Sequence, residues 1–128
     1  MSQPIVFIGT HKIKPGKFDG FKERNREVAR LLDADKPGTV AFLTYVNEDR
    51  SEVSFVHVFP DAKAMEAHME GASDRAKGAA EFLEFDRLEV WGRPSDTVVQ
   101  TMKQASGSGV SFRMKPEPLS GYIRLESC

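Results

Sequence analysis

The chain has 128 residues and a formal net charge of −1 at pH 7, with 40% hydrophobic and 29% charged residues. This length predicts one domain with a substantial hydrophobic core. The charge balance excludes proteins that bind nucleic acid through a strongly basic surface. No apolar run approaches the roughly 20 residues that span a bilayer, so we expect neither nucleic acid nor membrane as a partner.

The two ends of the sequence bear on its compartment. The first twelve residues lack the basic segment and the long apolar segment of a signal peptide. The single cysteine is Cys128, so an intrachain disulfide is impossible. Both features are typical of a cytoplasmic protein, and we predict that location.

The first predicted elements are a strand over Ile5–Ile13 and a helix from about Lys17 to Ala34. Alternation along the strand places His11 on the same face as Phe7, at an end that we expect to be exposed. The helix follows from apolar residues at a spacing near 3.6, and Asn25 interrupts that apolar stripe. The stripe consists of Phe18, Phe21, Val28, Leu31 and Leu32.

A β-hairpin is predicted next. The segments Val40–Val46 and Val53–Phe59 are rich in β-branched and aromatic residues, and the polar cluster Asn47–Arg50 separates them. Pro60 ends the second strand because it has no N–H for the ladder. Asp61 is then placed to cap a second helix with its carboxylate.

The end of this unit contains a short helix and a last strand. Ser73 is predicted to cap a helix over residues 74–82, and a strand is predicted over Glu84–Arg93. Alternation places Phe85, Arg87, Glu89 and Trp91 on one face of that strand and Leu88 and Val90 on the other. Residues 1–93 therefore predict an α+β fold of the ferredoxin-like β-α-β-β-α-β type, an antiparallel sheet with helices on one face.

Residues 94–128 extend this unit. Pro94 and Ser95 are predicted to open a helix that ends near Ser106, with an apolar face that must dock on another surface. Two short strands are predicted, over Val110–Met114 and Tyr122–Leu125. The extension packs on the same domain or on a dimer partner, and the sequence leaves both possibilities open.

The second face of the sheet cannot be fully polar. In the first strand Val6 and Ile8 oppose Ile5 and Phe7, and in the third strand Val56 and Val58 oppose Phe55 and Phe59, so both faces carry apolar residues. Soluble monomers rarely leave such a large apolar patch in water. We therefore predict a homodimer formed through this open sheet face, with two-fold symmetry.

Three short patterns carry a family resemblance. They are Lys14-Pro15-Gly16-Lys17-Phe18 before the first helix, Pro37-Gly38-Thr39 before the second strand, and Phe59-Pro60-Asp61 followed by Ala64 and His68. Over residues 5 to about 93 the chain resembles the antibiotic biosynthesis monooxygenase family of the dimeric α+β barrel superfamily. Alignment places Phe42 where the family often has tyrosine, and His57 where it often has glutamate.

The resemblance implies a cofactor-independent monooxygenase-like enzyme that acts on an aromatic or polyketide-like small molecule. The alternative is a non-catalytic homodimer of the same fold, which binds a small molecule or has a structural role. The histidines and the cysteine show no metal-ligand spacing, and the Gly-rich nucleotide motifs are missing. We therefore predict neither a metal nor a cofactor.

Six residues are candidates for the site. His57 and His68 are the candidate catalytic bases, because imidazole titrates near neutral pH. Each has a structural alternative: His57 can bond a neighbouring side chain, and His68 can cap the edge of the core. The predicted substrate-binding residues are Asn25, as a hydrogen-bonding orienter, and Phe42, Phe55 and Trp91, as an aromatic wall. The alternative for Asn25 is a bond to a backbone group or to a partner chain, and the alternative for the aromatic residues is packing in the core.

Overall fold

The computed structural model describes residues 3–106 and 109–124. It contains five strands and four helices within these residues. In chain order they are β1 (Ile5–Ile13), α1 (Phe18–Asp35), β2 (Ala41–Val46), β3 (Glu52–Phe59), α2 (Ala62–Met69), α3 (Ala72–Ala79), β4 (Leu83–Trp91), α4 (Asp96–Ser106) and β5 (Ser111–Lys115).

All five strands form one open sheet in the order β2-β3-β1-β4-β5. The pairs β1–β3, β1–β4 and β2–β3 are antiparallel, and β5 is parallel to β4. The predicted ferredoxin-like α+β class is confirmed, with one added edge strand. Because β1 is the central strand, its side chains on the helix side form the floor of the space between the sheet and the helices.

Two helix starts show how the sequence sets local structure. The Asp61 carboxylate accepts a hydrogen bond of 2.8 Å from the Ala64 N–H, which confirms the predicted cap of α2. The predicted cap at Ser73 is wrong, because α3 begins two residues earlier. Gly71 precedes α3 with φ 84°, a left-handed conformation that glycine adopts without a Cβ penalty.

The C-terminal helix packs on the chain's own domain. Val98 and Met102 of α4 are buried in the main core cluster. The other buried members of that cluster come from β1, β3, β4 and α2: Ile5, Phe7, Phe59, Met65 and Val90. This helix therefore closes one end of the space between the sheet and the helices.

A β-bulge changes the faces predicted for β4. Thr10 pairs with Arg87 and His11 pairs with Phe85, so Asp86 is an extra residue without a cross-strand partner. The bulge reverses the alternation, and Phe85 points to the helix-covered face with Leu88. The prediction that Phe85 shares a face with Arg87 and Trp91 is wrong for this reason.

The chain after β5 runs along the surface. Residues 122–124 form no strand, so the strand predicted over Tyr122–Leu125 is wrong for these residues, and Leu125 lies outside the described residues. Glu117 forms an ion pair with Arg93, and Leu119 is 97% exposed. Within residues 3–106 and 109–124, no helix combines the length and apolar character that crossing a bilayer requires.

The face of the sheet opposite the helices is not fully polar, as predicted, and it also carries charged residues of β4 and β5. Ile8 pairs with Val56, and Val56 pairs with Leu43, so the three side chains form a row across the centre of this face. Leu43 is 46% exposed and Trp91 is 39% exposed. The Thr10 and Ser54 hydroxyls, 2.9 Å apart, bond each other on the same face.

Candidate functional site

A cavity of about 420 Å³ lies between the sheet and the helices α1, α2 and α3. This volume falls in the range of small-molecule sites, about 300–1,000 Å³. Its walls are mainly apolar, and its polar side chains are three histidines, two arginines and one asparagine: His11, His57, His68, Arg24, Arg75 and Asn25. None of the described residues that line it is a carboxylate.

His57 lies in the sheet side of the cavity wall. Its Nδ1–H donates a hydrogen bond of 3.1 Å to the Phe7 carbonyl oxygen, because a carbonyl can only accept. The neutral ring therefore carries its lone pair on Nε2. Burial lowers the pKa of His57 to about 4, outweighing the bond to Phe7, which raises it. His57 is consequently an uncharged acceptor at neutral pH.

His68 lies on α2, in the helix side of the cavity wall, next to His57. The two rings meet edge to face with 5.0 Å between centroids. The Thr39 hydroxyl lies 2.8 Å from His68 Nδ1 and can donate to it or accept from it, so either tautomer fits. Burial is the main cause that lowers the pKa of His68 to about 3, and the charge on a protonated His57 is the second. The Pro37-Gly38-Thr39 segment thus supplies the residue that orients His68.

His11 is a third cavity residue, and the prediction that it is exposed is wrong. It is only 6% exposed, because alternation in β1 points it to the helix-covered face. Its Nδ1 accepts a hydrogen bond of 3.0 Å from the Asp86 N–H at the bulge. The neutral ring therefore carries its proton on Nε2. Burial lowers the pKa of His11 to about 4, so it is an uncharged donor at neutral pH.

The floor of the cavity is open because β1 has a glycine between Phe7 and His11. A Cβ on Gly9 would lie 3.0 Å from His11 Nε2, which is tighter than ordinary packing. The absence of a side chain at Gly9 thus leaves space between the Phe7 and His11 rings. His11 and His57 flank this floor with opposite tautomers, one donating and one accepting at Nε2.

Phenylalanines form an aromatic wall around the histidines. The Phe42 ring lies 5.1 Å from the His57 ring and stacks on Phe55 with centroids 6.1 Å apart. Phe55 continues the wall to Phe21. Trp91 does not contribute, because it lies on the opposite face of the sheet and is not among the described lining residues. Five of the six residues predicted for the site therefore lie around one cavity: Asn25, Phe42, Phe55, His57 and His68.

Asn25 lies on α1 and is half-buried at the cavity. No described group forms a hydrogen bond with its side-chain amide. An apolar stripe that contains one amide facing a cavity is suited to orienting a ligand carbonyl or hydroxyl.

Two arginines join the helices that cover the cavity. Arg75 of α3 donates to the His68 carbonyl at 2.7 Å and to the Glu70 carbonyl at 3.1 Å, at the C-terminal end of α2. Arg24 of α1 donates to the Arg75 carbonyl at 3.0 Å. A Cβ on Gly78 would overlap the Arg24 guanidinium, so this glycine makes room for it.

His11, Arg24 and Arg75 are the polar cavity residues missing from the sequence-based set. For His11 a signal existed, since it shares a strand face with Phe7. Arg24 follows Phe21 by three residues, which places both on one side of α1. Nothing in the sequence distinguishes Arg75 from a solvated helix residue. Within the described part of the chain, no three His, Cys, Asp or Glu side chains lie close enough to hold a metal ion.

No protein-family model and no curated protein sequence matches this chain. Solved structures do match it. MupZ from Pseudomonas fluorescens superposes with a TM-score of 0.68 and 16% identity, over 94% of this chain and 91% of that one. SnoaB from Streptomyces nogalater, a cofactor-independent oxygenase, superposes with a TM-score of 0.61 and 14% identity. That match covers 73% of this chain and 96% of SnoaB.

A candidate antibiotic biosynthesis monooxygenase from Chloroflexus aurantiacus superposes with a TM-score of 0.56 and 14% identity, over 69% of this chain and 90% of that one. The two shorter matches cover a length close to that of the ferredoxin-like unit, whereas the MupZ match is long enough to include α4 and β5. The resemblance predicted from three short patterns is thereby confirmed at the level of the fold. This chain has the fold of the antibiotic biosynthesis monooxygenases.

Proposed function

We propose that this chain is a cofactor-independent monooxygenase-like enzyme that acts on an aromatic or polyketide-like molecule. One observation carries the proposal: the uncharged His57 imidazole, with its lone pair on Nε2, lies in the aromatic wall of a mainly apolar cavity. Such a wall suits a flat ring system. The fold shared with SnoaB supports the same reading, although a fold by itself does not determine function.

The proposed reaction begins with proton removal from an activated CH₂ or phenol group by His57 Nε2. The resulting carbanion transfers one electron to dioxygen, and the radical pair combines to form a C–O bond. The hydroperoxide then loses water, so that R₂CH₂ and O₂ give R₂C=O and H₂O. Asn25 would orient the substrate carbonyl, and the His11 Nε2–H would donate to the oxygen on which negative charge develops.

Oxygen consumption with 1,8-dihydroxyanthrone, an activated tricyclic probe, tests this function. We expect the protein to accelerate oxygen uptake above the uncatalysed rate and to form the corresponding quinone, one per O₂. Heat-denatured protein and native protein treated with EDTA are the controls for adventitious metal, because metal catalysis survives denaturation and is removed by the chelator. If 1,8-dihydroxyanthrone and its 3-carboxylate both bind without any acceleration of oxygen uptake, the enzyme is contradicted and the binding protein is the function that remains.

That alternative, a small-molecule-binding homodimer, has one observation in its favour. No described carboxylate lines the cavity to stabilise an imidazolium, and burial lowers the pKa of both His57 and His68. Both rings are therefore weak bases in the empty cavity. A binding protein needs only their hydrogen-bonding capacity, so turnover is the measurement that separates the two functions.

We also propose that two copies pair through the open sheet face. The apolar row of Ile8, Leu43 and Val56, with Trp91 nearby, supports this pairing because burying it removes apolar surface from water. A stable interface buries about 800 Å² on each partner, and a five-stranded sheet offers a face of that order. A cytoplasmic location remains the prediction of the sequence.

We expect Leu43→Glu to convert the dimer into a monomer, because a carboxylate at the centre of the interface would lose its hydration. Light scattering coupled to size exclusion measures the mass. Leu31→Glu is the matched control, since Leu31 lies on α1 and is 45% exposed against 46% for Leu43. A dimer that survives Leu43→Glu, or a wild-type monomer, would contradict pairing through this face.

A further inference from the structure

The cavity carries positive charge without a described counter-ion. Arg24 and Arg75 are both half-buried at its wall, and no described carboxylate forms an ion pair with either guanidinium. A partly desolvated cation is unfavourable unless it is compensated. The lowered pKa of Arg75, caused by burial, reflects the same cost. Two such cations beside one apolar cavity indicate that the compensating charge belongs to the ligand.

The two arginines differ in how many guanidinium N–H donors remain for a ligand. Arg75 uses its guanidinium to hold the His68 and Glu70 carbonyls, which makes it an anchor between α2 and α3. Arg24 donates one described hydrogen bond, to the Arg75 carbonyl. A guanidinium has five N–H donors, so Arg24 retains donors for a ligand. Its planar fork matches a carboxylate with two parallel hydrogen bonds.

We infer that the cavity binds an apolar aromatic molecule that carries a carboxylate, with the carboxylate against Arg24 and the ring system against the Phe42 and Phe55 wall. This inference rests on the proposed function and names the substrate class for its site. The other polar groups agree with it, because the three histidines are uncharged and the described lining contains no acid that would repel a carboxylate.

An acidic ligand would also assist His57. Arg75 lowers the pKa of His57 electrostatically, and a carboxylate beside the arginines would offset that effect. The imidazole would then be a stronger base when the cavity is occupied than when it is empty. Substrate binding itself would thus prepare proton abstraction.

Binding of two matched probes, anthraquinone-2-carboxylate and anthraquinone-2-carboxamide, tests the inference by calorimetry at low ionic strength. We expect the acid to bind the wild type at least about tenfold more tightly, as a charge-assisted bidentate pair allows. Arg24→Gln should reduce this preference below about threefold, whereas Arg24→Lys should keep part of it. Thermal unfolding of each variant shows that the fold is intact.

Arg26→Gln is the control, because Arg26 lies on the same helix but is exposed and paired with Glu23. It should keep the full preference for the acid. The inference is overturned if the amide binds the wild type as tightly as the acid, if Arg26→Gln loses as much as Arg24→Gln, or if neither probe binds. Acid preference without turnover of either 1,8-dihydroxyanthrone or its 3-carboxylate would refute the enzyme alone, and turnover without acid preference would refute the inference alone.

Discussion

We expect His57→Asn to lower the turnover of 1,8-dihydroxyanthrone by about 10²–10⁴-fold, the usual contribution of a general base. The asparagine amide can still donate to the Phe7 carbonyl, as His57 Nδ1–H does at 3.1 Å, but it has no basic atom at the position of Nε2. The change therefore removes the base while keeping the hydrogen bond that orients it. Oxygen uptake measures the rate, and calorimetry measures probe binding, which should change only a few-fold.

His68→Asn is the comparison, because His68 lies beside His57 and was the other candidate base. The loss of turnover should be smaller for His68→Asn. The tautomer of His68 depends on the Thr39 hydroxyl, so the hydrogen bond at Nδ1 does not by itself leave a lone pair on Nε2. A larger loss in His68→Asn would transfer the role of base to His68. Equal turnover in His57→Asn and the wild type would remove acid–base chemistry by His57 from the mechanism.

Acidification is expected to destabilise the protein strongly. His11, His57 and His68 are buried, and burial lowers their pKa values from 6.5 to about 4, about 4 and about 3. Below pH 6.5 the unfolded chain takes up protons at these positions while the folded chain does not. The free energy of unfolding is therefore at its full value above pH 6.5 and decreases as the pH falls toward 4. Each histidine lowers it by at most about 1.4 kcal/mol per pH unit.

Urea unfolding at pH 7.5 and pH 4.5 measures this loss. For the wild type, each histidine should contribute about 2–3 kcal/mol to the difference between the two values. His57→Asn is again informative, because asparagine does not titrate. Its unfolding free energy should fall by about 2–3 kcal/mol less than that of the wild type over the same interval. An identical fall in both proteins would show that His57 is protonated in the folded state.

Much of the site could be predicted because its residues lie on elements with clear periodicity. Phe42, Phe55 and His57 belong to a hairpin, in which cross-strand partners share a face. His68 follows Asp61 on a helix whose start the carboxylate determines. Once the hairpin and this helix are placed, the ferredoxin-like topology brings them to the same side of the sheet.

Trp91 and His11 show where such reasoning ended. Both are ring residues near the end of a strand, and the sequence assigned Trp91 to the ligand and His11 to solvent. The structure reverses this. The bulge in β4 puts Trp91 on the face opposite Phe85. His11 is buried because β1 continues beyond it to Ile13 and keeps it on the face of Phe7. The extra residue Asp86 also supplies the N–H that orients His11.

The sequence by itself determined the order of strands and helices, the cap of α2, the apolar second face of the sheet and the resemblance that the fold confirms. These are local properties, set by side-chain spacing, turn chemistry and backbone preference. Only the tertiary structure decided that three uncharged histidines line one cavity, and that Arg24 and Arg75 reach the same cavity without a described counter-ion. Such groups are distant in sequence, and their charge and hydrogen bonding depend on packing that no local pattern encodes.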